Sequence, residues 1–214
     1  MTTLMSDDGT GKTNGTALDT AKWTTEGSTA GGGSATYQST ALKFQSGNQG
    51  GYAGTSRTSR SFNITSVADI EISGTFTHDT NEAYPLIMVR ATTSTVDYPN
   101  GYYLQLRKGS TLVVGKLVSY SGTDLSSVSK TISASTTYGF RFQVIGNALK
   151  ARVWTGSEPG TWDISITDSS FTSAGKAGIT IGAGNAAVNH AVTFDNIVVT
   201  DGASLVNKGP ATET

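Results

Sequence analysis

The sequence predicts an all-β domain, an antiparallel two-sheet β-sandwich. Three observations predict it. Short runs alternate apolar and polar residues with a period of two; 26 glycines in 214 residues, with abundant Ser and Thr, supply many turns; and no window of about eleven residues or more carries a helical repeat. The length suits one domain, since sandwiches of this size need not divide.

Residues 1–16 are polar and Gly/Thr-rich and are expected to form an N-terminal arm. The sandwich is expected over residues 17–202, and residues 203–214 lose the alternation and are expected to form a C-terminal tail. Ala17–Trp23 has room for one helical turn, and Thr29–Ser34 is a loop of small residues. Tyr37–Gln45 is expected as the first clear strand. In Asp69–Phe76, Ile70, Ile72 and Phe76 share one face while Asp69, Glu71, Ser73 and Thr75 share the other, the pattern of a half-buried strand. Leu86–Arg90 is a short apolar run suited to a central strand. Tyr102, Leu104 and Leu106 alternate against Tyr103, Gln105 and Arg107; Lys108–Thr111 turns the chain, and Leu112–Tyr120 returns. Phe140, Phe142 and Val144 pair with Leu149, Ala151 and Val153 across Gly146-Asn147, a dipeptide suited to a tight hairpin. Gly178–Ile181 and Val192–Thr200 close the sheets. Phe194, Ile197 and Val199 all call for the interior but are out of phase, so a bulge is expected near Asp195 and Asn196. About twelve short strands result, enough for two sheets.

Charged residues make up 14% of the chain and the net charge is −1, which gives no electrostatic footprint for nucleic acid or an anionic membrane. No apolar run reaches the ~20 residues of a membrane-spanning helix. The chain has no cysteine, hence no disulfide and no thiolate chemistry. Gly9-Thr-Gly-Lys-Thr13 lacks the earlier glycine of a phosphate loop, because Ser6 holds that place. His78 and His190, the two histidines, have no second His at ligand spacing, so a transition-metal site is not expected.

Leu149-Lys-Ala-Arg-Val-Trp154, Gly156-Ser-Glu-Pro159, Trp162, Asp168, Gly175-Lys-Ala-Gly-Ile179 and Phe194-Asp-Asn-Ile-Val-Val-Thr-Asp-Gly202, together with Leu18-Asp-Thr-Ala-Lys-Trp23, form a series that resembles the concanavalin A-like (LamG-like) jelly rolls. Such domains occur in glycan-binding modules, extracellular bacterial proteins and phage tail proteins. The resemblance runs from about Leu18 to Gly202 and implies the fold more firmly than any activity. Related glucanases carry a Glu-x-Asp-x-x-Glu strand. Here Asp69-Ile-Glu71 has Val67 where the first glutamate belongs, so no enzymatic activity is expected. Related sandwiches also place a structural calcium ion where an N-terminal acidic segment meets the last strand, which implies Asp7, Asp8 and Asp195 as ligands here. No other cofactor is expected.

For glycan, the candidate residues are Tyr98 and Tyr103, beside the Pro99-Asn-Gly101 tip, with Gln105 and Arg107 on the Tyr103 face, and Trp154. Aromatic rings stack on pyranose C–H faces, and amides and guanidinium groups bind hydroxyls. The same composition suits a protein interface. Trp154 and Trp162 are also expected to clasp the hairpin between them.

Met1 without a basic and apolar leader and a hydroxyl-rich surface point to a non-enzymatic virion component made in the host cytoplasm: a phage minor tail or head-decoration protein. Its partners would be other virion proteins or its own copies, for example in a homotrimer, and host-surface polysaccharide. The alternative is a carbohydrate-binding module of a bacterial extracellular protein.

Overall fold

The computed structural model describes residues 2–28, 33–46, 58–79, 83–92, 98–183 and 190–202. Fifteen strands and no helix occur among them: β1 (Thr2–Asp7), β2 (Trp23–Ser28), β3 (Ser34–Gln38), β4 (Ala41–Gln45), β5 (Thr58–Phe62), β6 (Ile70–His78), β7 (Ala83–Thr92), β8 (Asn100–Gln105), β9 (Gly109–Val118), β10 (Ser121–Ile132), β11 (Thr137–Ile145), β12 (Ala148–Trp154), β13 (Ile164–Thr167), β14 (Lys176–Ala183) and β15 (Ala191–Asp201). They form two antiparallel sheets. The first runs β13-β12-β11-β6-β15-β4-β3, with β1 also paired to β15, and the second runs β10-β9-β8-β7-β14-β5-β2.

Alternation places one side of each strand in a common core. Phe44, Phe76, Phe140, Phe142 and Phe194 enter from the first sheet; Ile87, Val89, Leu104, Val114 and Ile179 enter from the second. The rings meet edge to face, with Phe44 and Phe194 centroids at 5.5 Å and those of Phe140 and Phe194 at 6.3 Å, an arrangement that adds to their burial energy. The bulge in β15 falls where expected. Its register to β6 slips between Asp195 and Val198, Asn196 takes a φ of +51°, and Phe194, Ile197 and Val199 are all fully buried. The β11–β12 hairpin also forms in the expected register, Ile145 opposite Ala148. Gly146 alone of the turn pair has positive φ, at +53°, as in hairpins with glycine at the first central position.

Several expectations are corrected. Residues 2–7 are not part of an arm: Met5 and Asp7 are buried, and β1 pairs with β15 from Thr2 opposite Asp201 to Asp7 opposite Ile197. Tyr37–Gln45 is a hairpin of two strands rather than one strand, turned at Ser39, whose φ is +57°. Ala17–Trp23 holds a single turn, with the Lys22 and Trp23 amides both donating to the Asp19 carbonyl. β10, a polar edge strand, was not anticipated. Most of the Thr29–Ser34 loop and all of the 203–214 tail lie outside the described residues.

Candidate functional site

The outer face of the second sheet carries its own cluster, separate from the core: Leu86, Met88, Ala91, Tyr98, Tyr103, Val113 and Leu117. Cross-strand register lays Tyr103 of β8 between Met88 of β7 and Gly115 of β9, with Asp124 of β10 beyond Gly115. Gly115 is what permits this. Tyr103 lies over it, so that a Cβ there would run into the phenol ring, and the Tyr103 hydroxyl donates to Asp124 Oδ1 at 2.8 Å. Tyr98 repeats the device over Gly178, its hydroxyl 3.0 Å from Ser61 Oγ.

Beside this cluster is a groove of about 390 Å³ lined by Gln105, Arg107, Lys108, Gly109, Thr111, Val113 and Asp124. Val113 supplies an apolar floor; the other side chains are donors or acceptors. The Arg107 guanidinium lies 4.5 Å from the centre of the Tyr84 ring, a cation–π contact that holds the fork in place. Gln105 is half-buried, and no hydrogen bond engages its side-chain amide among the described residues. Such a groove can bind a polyhydroxylated ligand. The carboxylate accepts from sugar hydroxyls, the amide both accepts from and donates to them, and Val113 meets a C–H face.

The structure brings together Tyr103, Gln105 and Arg107 of the five residues expected to bind glycan, but with altered roles. Tyr103 is only 4% exposed and Tyr98 is fully buried, so neither presents a ring face; Tyr103 acts on the groove by fixing Asp124. Trp154 is on the other sheet and its opposite outer surface, half-buried over Gly139. The clasp expected between Trp154 and Trp162 runs through Arg152, whose guanidinium carbon is 4.4 Å from the Trp162 ring and 5.9 Å from the Trp154 ring. Glu158 binds Arg141 through Nε at 2.6 Å and through its second nitrogen at 3.0 Å, and it also pairs with Arg152. Lys108, Thr111 and Asp124 were missed. Asp124 sits in a Ser/Thr-rich run whose only apolar markers, Leu125, Val128 and Ile132, do not keep period two.

Asp69 and Glu71 are structural. Glu71, nearly buried, is ion-paired to Arg141 and accepts from Gln143 Nε2 at 2.8 Å; Asp69 Oδ1 accepts from the Gly146 amide at 2.8 Å and pairs with Arg90 at 3.3 Å. Asp124 is the one carboxylate lining the groove among the described residues.

The carboxylates expected to hold calcium do not fit it. Asp7 is 2% exposed and accepts from Trp23 Nε1 at 2.7 Å, the Tyr37 hydroxyl at 3.0 Å, Lys22 Nζ at 3.2 Å and the Gly9 amide at 3.3 Å. A cation would have to displace an ammonium and two buried donors. Asp8 accepts from the Thr10 amide and Asp195 from the Asn196 amide. No group of three or more acidic, His or Cys side chains suited to a metal ion occurs among the described residues.

No family model and no curated protein matches the sequence. Solved structures do. The chain is similar to the carbohydrate binding module CBM66 from Bacillus subtilis, at 15% identity and a TM-score of 0.63, over 88% of this chain and 99% of that one. It is similar to a β-glucanase from Bacillus licheniformis, at 10% identity and a TM-score of 0.65, over 92% and 97%. It is also similar to a galectin-like protein of unknown function from Bacillus subtilis, at 13% identity and a TM-score of 0.65, over 93% and 96%. At these identities the likeness shows the jelly-roll sandwich itself.

Proposed function

We propose that this chain is a non-catalytic carbohydrate-binding module that takes glycan in the Gln105–Arg107–Asp124 groove. One observation carries the proposal: an open polar groove with an apolar floor, whose one lining carboxylate among the described residues is held in place by a buried tyrosine. Retaining or inverting hydrolysis needs two carboxyl groups flanking a bond, and Asp69 and Glu71 are tied up in ion pairs with Arg90 and Arg141. The similarity to a structure described as a carbohydrate binding module agrees with binding, and similarity to a glucanase leaves the absence of catalysis to be tested. An extracellular setting goes with this function. The similar structures named above add nothing to a virion role or a homotrimeric state.

The test is calorimetric titration and a glycan array with the wild type, Asp124→Ala and Gln105→Ala. Micromolar-to-millimolar binding that weakens about ten-fold in each variant, about 1.4 kcal/mol, is expected, with the melting temperature unchanged in Gln105→Ala. Turnover of any bound polymer, or binding indifferent to both substitutions, refutes the proposal.

A further inference from the structure

A second pocket, of about 300 Å³, opens between the two sheets where β2 and β3 end them, at the opposite end of the second sheet from the groove. Leu18, Trp23 and Ala35 wall it with apolar surface, Thr20 and Thr25 add hydroxyls, and Arg60 lies among them. Arg60 is on the inner face of β5. Two residues before it, the Thr58 hydroxyl donates to the Gln45 carbonyl of the first sheet at 2.7 Å; two residues after it, Phe62 is in the core. Alternation therefore turns Arg60 inward too, and strand pairing sets it opposite Thr25. The guanidinium has a tether but no counter-charge. It donates from Nη1 to the Ser59 carbonyl at 2.9 Å, one of five N–H donors, and no acidic side chain pairs with it among the described residues. The one titratable group whose field reaches it is Tyr98, a phenol that is neutral at physiological pH. Burial meanwhile holds its pKa below the ordinary 12.5. An inward cation on an edge strand wards off strand pairing, but β5 lies between β14 and β2 and has no edge to protect. A half-buried charge with no opposite partner costs stability. An anion in the pocket removes that cost.

We infer that this pocket binds a small carboxylate carried on an apolar body. The guanidinium and the Thr25 hydroxyl donate to the carboxylate, and the hydrocarbon lies against Leu18, Trp23 and Ala35. A planar guanidinium matches a carboxylate with two parallel hydrogen bonds, and the bond to the Ser59 carbonyl orients it before the ligand arrives. The volume is at the low end of small-molecule sites, which run from about 300 to 1,000 Å³. It has room for one ring or a short branched chain, not for an oligosaccharide. The apolar walls disfavour sulfate and phosphate, which have no hydrocarbon to set against them. The ligand touches Ala35 of β3 and Trp23 and Arg60 of the opposite sheet, so its binding clamps this edge of the sandwich. The site is independent of the glycan groove.

The experiment combines calorimetric titration with melting curves of the whole protein. The probes are benzoate and isobutyrate, methyl benzoate as the uncharged counterpart, and sulfate and phosphate as anions without an apolar body. The expected result is saturable binding of benzoate at millimolar Kd or tighter, and a melting temperature about 3–6 °C higher at ten times Kd. The ester should bind at least ten-fold more weakly. Arg60→Met should lose at least ten-fold in benzoate affinity and melt at or above the unliganded wild type, since it removes a charge that no described side chain balances. Arg60→Lys should keep part of the affinity. Thr25→Val, at an exposed position, should keep the fold and bind benzoate several-fold more weakly; Asp124→Ala should bind it as the wild type does. The inference is overturned by no saturable binding of either carboxylate, by equal binding of acid and ester, or by sulfate or phosphate binding as tightly as benzoate. Benzoate binding indifferent to Arg60→Met and Thr25→Val overturns it as well. A methionine variant less stable than the unliganded wild type overturns the unbalanced charge on which it stands. Each of these results leaves glycan binding in the Gln105–Asp124 groove standing.

Discussion

Asp7→Ala is a decisive perturbation of this fold, because Asp7 joins three strands by its side chain. β1 carries it, Trp23 opens β2 on the opposite sheet, and Tyr37 lies in β3. The alanine variant leaves two buried donors without partners, since Trp23 is 2% and Tyr37 1% exposed. Each orphaned donor costs about 1–3 kcal/mol, so the two together cost about 2–6 kcal/mol, with about 4 kcal/mol as the centre. Lys22 is 35% exposed at its side chain and rehydrates, so its ion pair adds little. For a domain of about 150–250 residues, where each kcal/mol moves the melting temperature about 2–4 °C, the drop should be about 8–16 °C. Urea denaturation and calorimetry at neutral pH read this directly. A cycle with Trp23→Phe, which deletes one of the orphaned donors, should show coupling of at least about 0.5 kcal/mol. Calcium should leave the wild-type melting temperature where EDTA leaves it. A loss below about 1 kcal/mol, or a calcium-dependent rise that Asp7→Ala abolishes, would refute the argument that Asp7 is a structural acceptor and not a metal ligand.

Two further outcomes are expected, at His78 and at Gly115. Burial holds His78 below the ordinary histidine value of 6.5, opposed by its hydrogen bond to the Leu106 carbonyl and by Asp79, while Lys108 nearby lowers it further. Its Nδ1 is buried without a partner. The unfolded chain therefore binds this proton more readily than the folded one, so the stabilisation is complete above pH 6.5 and declines as pH falls through the lower folded value. Melting curves at neutral and mildly acid pH should show a smaller acid loss in His78→Gln, which can still donate to Leu106; identical slopes contradict the assignment. Gly115→Ala puts a Cβ into the Tyr103 ring and 2.6 Å from the Thr123 carbonyl oxygen. It should cost about 1–3 kcal/mol and weaken glycan binding, because Asp124 loses its tether; a variant that melts and binds as the wild type does contradicts the role given to Tyr103.

The legible parts of the chain are those where one residue's burial decides the phase. Phe140, Phe142 and Val144 fixed β11, and the conflict between Phe194 and Ile197 located a bulge that the structure places at Asp195–Asn196. β1 was illegible because only Met5 and Asp7 of its six residues are buried, and Asp7 is buried by hydrogen bonding rather than by hydrophobicity. β10 was illegible because an edge strand needs little apolar surface; it also has two register shifts, which erase its period. The site divides in the same way. Gln105 and Arg107 were visible from alternation after Tyr103, but Asp124 reaches the groove only through strand pairing. Burial of the tyrosines depends on Gly115 and Gly178, whose missing side chains say nothing about what will lie over them.

Thr2 stands opposite Asp201 in the β1–β15 ladder, so the path enters and leaves the sandwich at a single spot, about 5 Å between backbones. A polypeptide of this kind can be spliced into a surface loop of a host protein without prising the host apart. It can also be circularised there by a few residues and reopened at the Gly146–Asn147 corner with its ladders intact.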